Sequence, residues 1–201
     1  DSPLLEDIDS QTTDEDSNDI ILSITPTDVD LEDILTLSVA SSNESLISNS
    51  GISIDNSSDV TNVSRTITMN PIDDQYGESN ITITITDGQE SISKEFTATV
   101  NPINDAPILT NIGVQEANED ETKNIVLSST DVDYTSFTYL ISNISDNITA
   151  EITDDFLSIT PNNNYYGEES ITVSVTDGEL EDSETFVITF AAVNDVPVLT
   201  T

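Results

Sequence analysis

Three short acidic motifs occur twice along the chain, and their residue types suit a metal site built from oxygen ligands. They are Asp28-Val-Asp30 with Asp131-Val-Asp133, Thr86-Asp87-Gly88 with Thr176-Asp177-Gly178, and Asn104-Asp105-Ala-Pro107 with Asn194-Asp195-Val-Pro197. Carboxylate and amide oxygens are the ligands of Ca²⁺, which takes about six to eight of them in flexible geometry. Crowded carboxylates repel one another, and a divalent cation relieves that repulsion. The motifs therefore predict calcium sites wherever the fold gathers them.

The overall charge limits the classes of partner. Forty acidic residues stand against Arg65, Lys94 and Lys123, which gives a formal net charge of −37. Such a chain cannot neutralise phosphates, so nucleic acid and anionic membrane surfaces are excluded as partners. Solubility in salt water is an alternative explanation of the acidity. It does not account for acids that recur in fixed motifs.

Two residue types are missing, and their absence narrows the possible chemistry. The chain has neither cysteine nor histidine. Disulfides, thiolate metal sites and the usual general base of a Ser or Cys hydrolase are therefore excluded, and a carboxylate pair is the remaining catalytic option. No feature beyond abundant acids supports that option, so we predict that the chain is not an enzyme. No apolar run is long enough to insert in a membrane, and no signal peptide is present, so we expect a monomeric interior fragment of a larger protein.

A repeat divides the chain into two modules. Asp105 returns as Asp195, and Tyr76-Gly77 returns as Tyr166-Gly167, both at a spacing of 90 residues. Asp28 and Asp131 are 103 residues apart, which places extra loop residues in the first repeat. We predict domain 1 over residues 1–104 and domain 2 over residues 105–201.

The elements that must position the acids are β-strands. Asn80–Thr86 and Ser170–Thr176 alternate strictly between apolar and polar residues, as half-buried strands do, and Asn, Asp, Ser and Gly clusters separate such runs. The pattern predicts an all-β chain of two tandem immunoglobulin-like antiparallel β-sandwich domains. Each Thr-Asp-Gly is predicted to be a hairpin tip. Tyr76 and Tyr166 are predicted to be corner or core packing residues.

In such a sandwich, the entering linker, an early loop and the last hairpin converge at one end. The predicted ligands at that end of domain 2 are Asn104, Asp105, Asp131, Asp133 and Asp177. Domain 1 would complete the shell from its opposite end with Glu15, Asp16, Asp73 and Asp74. A weaker site at the N-terminal end of domain 1 would use Asp1, Asp28, Asp30 and Asp87. An ion shared by two domains would make the joint between them rigid.

These motifs resemble the cadherin-like tandem repeats of bacterial giant adhesins and related secreted surface proteins. The resemblance covers the chain twice and implies a cadherin-like sandwich with calcium at each joint. It assigns ligand roles to Glu15, Asp74, Asn104, Asp105, Asp131, Asp133 and Asp177. Pro102 and Ala106 replace linker ligands of cadherins, so we expect one or two ions in place of three. Asn162–Asn164 weakens the corresponding site at the far end of domain 2.

Two functions follow as alternatives. The first is a calcium-bound extender that stiffens a secreted or cell-surface bacterial adhesin, whose partners are the neighbouring repeats. The second is a recognition module that binds a surface glycan or protein through exposed loops. Aromatic residues in exposed loops would favour the second. Tyr134, Phe137 and Tyr139 follow an Asp-x-Asp motif, but their alternation indicates mostly a strand.

Overall fold

The chain folds mainly as β-strands in a computed structural model that describes residues 1–17, 19–30, 34–55 and 61–197. It divides into two compact units, Asp1–Ile103 and Asn104–Thr201. Apart from a 3-10 turn at Asn49–Gly51, the described ranges contain strands, turns and irregular segments. A helix with the length and apolar character needed to cross a membrane is absent from these ranges.

The described residues of unit 1 form two sheets. Its strands are β1 (Gln11–Asp14), β2 (Ile20–Ile24), β3 (Thr36–Ser41), β4 (Ile52–Ile54), β5 (Arg65–Met69), β6 (Gly77–Thr86) and β7 (Ser91–Asn101). One sheet has the order β1-β7-β6-β3 and the other the order β2-β5-β4. All the pairs are antiparallel except β1 with β7, which is parallel.

Unit 2 repeats this plan. Its strands are β8 (Ile108–Leu109), β9 (Gln115–Asn118), β10 (Lys123–Val126), β11 (Ser129–Thr130), β12 (Thr138–Ser142), β13 (Ile148–Thr153), β14 (Phe156–Pro161), β15 (Gly167–Thr176) and β16 (Glu181–Ala191). The sheets have the orders β12-β15-β16-β9, β10-β14-β13 and β11-β8. The parallel pair is again formed by the last strand, here β16 with β9.

Each unit has its own apolar core between its sheets. The alternation in β6 places Ile81, Ile83 and Ile85 fully inside the core of unit 1. The same alternation in β15 places Ile171, Val173 and Val175 inside the core of unit 2. In an antiparallel sandwich, the apolar residues of an alternating strand face the core and the polar residues face the solvent. The all-β, immunoglobulin-like fold class is confirmed.

The turns of the last hairpins follow the sequence prediction, whereas the tyrosines do not. Gly88 and Gly178 have φ values of 93° and 112°, a conformation that favours glycine at a hairpin tip. Tyr76 and Tyr166 are 60% and 64% exposed, so the prediction that they pack in a corner or core was wrong. In unit 2 the neighbouring Tyr165 takes the inward position, with its ring centroid 6.3 Å from that of Phe190.

Candidate metal centre

Asp131 is held through one carboxylate oxygen and leaves the other without a donor. Its Oδ1 accepts hydrogen bonds from the backbone N–H groups of Asp133 at 2.8 Å and Tyr134 at 2.9 Å. Its Oδ2 is buried and has no hydrogen-bond partner in the described part of the chain. Local hydrogen bonds of this kind fix the loop after β11. They leave one oxygen of the Asp-x-Asp motif able to bind a cation.

Asp177 fixes the amide of Asn104 in a similar way. The Oδ1 atom of Asp177 accepts from the backbone N–H groups of Glu179 at 2.6 Å and Leu180 at 2.8 Å. Its Oδ2 atom accepts from Nδ2 of Asn104 at 2.8 Å. The Glu179 and Leu180 N–H groups, followed by the Asn104 amide, lower the pKa of Asp177, so this carboxylate stays ionised at neutral pH. The Oδ1 atom of Asn104 is buried, and no described residue donates a hydrogen bond to it.

One more bond joins these residues into a single cluster. The N–H of Asp105 donates to Oδ2 of Asp133 at 2.9 Å. Because Asn104 and Asp105 are chain neighbours, this bond links the Asp131 loop to the Asp177 hairpin. The structure thus brings together, within unit 2, the five residues that the sequence predicted there.

The N-terminal end of unit 1 has the same construction. Oδ1 of Asp28 accepts from the N–H of Asp30 at 2.9 Å, and its Oδ2 is buried without a partner among the described residues. Oδ2 of Asp30 accepts from the amino group of Asp1 at 3.0 Å. Oδ1 of Asp87 accepts from the N–H groups of Glu90 and Gln89, which lower its pKa. The four residues of the predicted weaker site are therefore built like their counterparts in unit 2.

The opposite end of unit 1 gathers Glu15, Asp16 and Asp74. Glu15 is 2% exposed, and its Oε1 accepts from the N–H of Ile103 at 2.8 Å. Its Oε2 is buried, with no hydrogen-bond donor in the described ranges. Oδ1 of Asp16 accepts from the N–H of Asp74 at 3.1 Å. Asp73 is exposed and lines an open depression beside Asp16.

At the equivalent end of unit 2, where the sequence predicted a weakened site, sequence analysis did not name Glu119 and Asp120. Glu119 is 6% exposed, and its Oε1 accepts from the N–H of Val193 at 2.5 Å. Oδ1 of Asp120 accepts from the N–H of Asn164 at 2.8 Å. The pair Glu119-Asp120 repeats Glu15-Asp16 in the sequence, and that repetition was the signal that could have identified it.

The oxygen atoms that could act as metal ligands fit the calcium that the resemblance implies. The buried oxygens that lack a donor among the described residues include Glu15 Oε2, Asp28 Oδ2, Asn104 Oδ1 and Asp131 Oδ2. A buried acceptor without a donor costs roughly 1–3 kcal/mol, and more when it is charged, unless positive charge compensates it. Carboxylate and amide oxygens suit a hard cation such as Ca²⁺, whereas structural zinc sites use sulfur and nitrogen ligands.

Comparisons with known proteins concern the fold. Residues 104–189 match the sequence profile of the family described as Bacterial Ig domain. The crystal structure of Drosophila N-cadherin EC1-4 matches 96% of this chain and 50% of that chain, with 17% identity and a TM-score of 0.55. No curated protein matches the chain.

Two further solved structures match less closely. The protocadherin gamma B7 extracellular cadherin domains 1-4 match with 11% identity and a TM-score of 0.49, over 96% of this chain and 52% of that one. The endo-fucoidan hydrolase MfFcnA4 matches with 19% identity and a TM-score of 0.43, and this chain spans 29% of its length. Residues 104–189 thus match a bacterial Ig domain, and the fold of the chain is that of the immunoglobulin-like and cadherin-like β-sandwiches.

Proposed function

We propose that the chain consists of calcium-binding structural modules of a large secreted or cell-surface, adhesin-like protein. Ca²⁺ would bind where one module joins the next and stiffen the chain. The observation that supports this proposal best is the set of buried oxygens without donors on Glu15, Asn104 and Asp131. All three belong to residues that the sequence predicted as ligands, and in each residue another side-chain atom is already fixed by a hydrogen bond.

Electrostatics supports the same proposal. A net charge of −37 favours separation of acidic groups, so a folded state that gathers them needs counterions. The lowered pKa of Asp177 keeps that ligand charged well below neutral pH. Extracellular calcium modules commonly bind with dissociation constants of about 10⁻⁴–10⁻³ M, which suits a secreted or surface-exposed protein.

Thermal unfolding tests the calcium part of the proposal. Millimolar Ca²⁺ is expected to raise the midpoint relative to a chelator at matched ionic strength, because binding to the native state alone stabilises it. Mg²⁺ is expected to raise it less, since it prefers octahedral geometry with retained waters. Asp131→Asn would reduce the calcium effect, and Asp146→Asn, in an exposed loop, serves as the control. An equal midpoint in calcium and chelator would contradict the proposal.

Scattering tests the stiffening part. Asp105→Ala removes a predicted ligand from the linker and is expected to broaden the distribution of molecular lengths in calcium. Each unit should remain folded, as judged by unchanged circular dichroism. Equal length distributions for the parent and the variant would argue against a calcium-stiffened joint.

A recognition module remains the alternative, and the exposure of Tyr76 and Tyr166 favours it. Both rings are more than half exposed at matched positions of the two units. Exposed aromatic faces are common contacts in binding surfaces. Reproducible signals on a glycan array that disappear in the Tyr76→Ala, Tyr166→Ala double variant would favour a recognition function over a structural one.

A further inference from the structure

In both units a short early strand runs parallel to the last strand. β1 pairs with β7 from Gln11↔Ala98 to Asp14↔Asn101. β9 pairs with β16 from Gln115↔Ile188 to Asn118↔Ala191. The other strand pairs of the described sheets are antiparallel. The chain therefore leaves each unit through a strand that is paired in parallel with an early strand. Ahead of that early strand it makes short antiparallel contacts, the Leu4↔Thr27 bridge in unit 1 and the β8–β11 pair in unit 2.

This topology determines how tension acts on a unit. Because the two strands point the same way, pulling the chain from both sides of a unit slides one strand along the other. The interstrand hydrogen bonds of the pair are then loaded together and do not open one after another. A group that ties the two strands together beyond the last pair adds directly to the barrier against sliding.

Glu15 is such a group in unit 1. Its backbone N–H donates to the carbonyl oxygen of Asn101 at 2.9 Å and extends the parallel ladder by one bond. Its Oε1 accepts from the N–H of Ile103, two residues further along the departing chain. The side chain is 2% exposed, so water competes little for this bond.

Glu119 makes the same pair of bonds in unit 2. Its N–H donates to the carbonyl oxygen of Ala191 at 2.9 Å, and its Oε1 accepts from the N–H of Val193 at 2.5 Å. The side chain is 6% exposed. The two glutamates thus tie together the same strands in the two units.

We propose that Glu15 and Glu119 are tension locks, buried carboxylates that fasten the departing chain to the early strand and set the resistance of each unit to stretching. This function rests on the proposed structural role, which places the chain under tension along its length. A carboxylate that accepts from a backbone N–H forms a charge-assisted bond, which is stronger than the bond between neutral groups. Since the bond lies between the strands that slide, its loss should accelerate forced unfolding more than it lowers equilibrium stability.

Constant-force unfolding of the full chain, tethered at its two ends in the presence of a chelator, tests the proposal. The two units are expected to give two unfolding steps. Glu119→Gln is expected to increase the unfolding rate of one step about tenfold, equivalent to about 1.4 kcal/mol, because a neutral amide oxygen is a weaker acceptor. Glu15→Gln is expected to accelerate the other step, and the double variant to accelerate both. Unchanged rates in both single variants would overturn the proposal.

Two further variants separate a tension lock from an ordinary stabilising contact. Glu116→Gln changes an exposed residue of β9, the strand that ends just before Glu119, and it should change no rate. Glu169→Gln removes a buried carboxylate on β15, a strand outside the parallel pair, where it accepts hydrogen bonds from Asn147 and Tyr165. It should lower the melting temperature yet leave the forced unfolding rate within about twofold. If Glu119→Gln and Glu169→Gln accelerate forced unfolding equally, the lock is disproved. Because the chelator removes calcium, this result is independent of the calcium melts.

Discussion

The acid-bearing turns of unit 1 and unit 2 share their main hydrogen bonds, whereas buried residues at matched positions of their sheets differ. The hairpin tips illustrate the repetition. The N–H of Gly88 donates to Oγ1 of Thr86 at 3.0 Å, and the N–H of Gly178 donates to Oγ1 of Thr176 at the same distance. Both turns then orient an aspartate through two backbone N–H groups. Each unit therefore presents carboxylates with nearly the same local geometry.

The sheets are less alike. Unit 1 buries Arg65 in β5, whereas residue Asp155, 90 positions later, is only partly buried. Unit 1 has the small Ser79 in β6, whereas unit 2 has Glu169 at the matched place, with Tyr165 and Asn147 as donors. A sandwich core tolerates such substitutions provided that volume and polar partners are matched. The difference indicates that the turns, more than the sheets, are fixed by a shared role.

The largest expected effect is a loss of stability on truncating a core residue, and it tests whether the two units unfold independently. Ile67 and Leu157 are matched residues, and both are fully buried. Ile67→Ala and Leu157→Ala should each destabilise one unit by about 2–5 kcal/mol through lost burial and a new cavity. Calorimetry should show one of two transitions moving in each variant. If both transitions move together in both variants, the units do not unfold independently.

A second substitution tests the difference at Arg65. Its Nη2 donates to the carbonyl oxygen of Leu35 at 2.7 Å, while Nε and Nη1 are buried without an acceptor among the described residues. Replacing a poorly paired buried charge with an apolar side chain of similar volume is often stabilising. Arg65→Met should therefore stabilise unit 1 by about 2 kcal/mol in urea unfolding.

Arg65→Lys is the matched control for this substitution. It keeps a buried charge and should bring no gain in the free energy of unfolding. An Arg65→Met variant that is less stable than Arg65→Lys would show that the guanidinium is better satisfied than its described contacts indicate.

A third test concerns the polar network around Glu169 in unit 2. Burial acts to raise the pKa of Glu169, but hydrogen bonds from Tyr165, Asn147 and Ser145 outweigh it and lower that pKa. Tyr165→Phe removes one of these donors and should destabilise unit 2 by about 1.5 kcal/mol. Tyr166→Phe alters a neighbouring exposed ring and should have no measurable effect on chemical unfolding. Equal losses in the two variants would contradict a role for the hydroxyl of Tyr165.

The smallest expected effect is on the pKa values of two matched aspartates, one in each last hairpin. The N–H groups of Glu90 and Gln89 lower the pKa of Asp87, and those of Glu179 and Leu180 lower the pKa of Asp177. Each contributes stability above the unfolded value of about 3.9, and the contribution is lost as pH falls through the lower folded value. Carboxyl ¹³C NMR should show both titrating below the value of about 3.9 of an unfolded aspartate. Titration of only one of them below the unfolded value would break the equivalence of the two hairpins.

Sequence periodicity predicted the long strands well. The predicted segments Asn80–Thr86 and Ser170–Thr176 lie within β6 and β15, because strict alternation bounded by turn residues leaves few other structures. Sequence analysis did not predict the short strands β1 and β9. Gln11–Asp14 and Gln115–Asn118 are polar, so they carry no apolar signal, and only pairing with the last strand makes them strands.

The candidate sites, like the strands, could be predicted in part from the sequence. Repeated motifs identified Asp131, Asp133 and Asp177 as neighbours, since loops at one end of a sandwich converge. The sequence did not show that one carboxylate oxygen of Glu15 accepts a hydrogen bond from the backbone N–H of Ile103, because that bond depends on tertiary structure. The exposure of Tyr76 was also unpredictable from composition, since an aromatic beside a turn glycine can point either way.

The central claim is that these carboxylates and amides bind calcium, and NMR of the side chains during a calcium titration tests it most directly. Saturable shifts at millimolar Ca²⁺ are expected for Asn104, Asp131 and Asp177, while Asp146 should stay unchanged. Small, non-saturating shifts spread evenly over all the carboxylates would mean that calcium only screens charge, and would contradict the account.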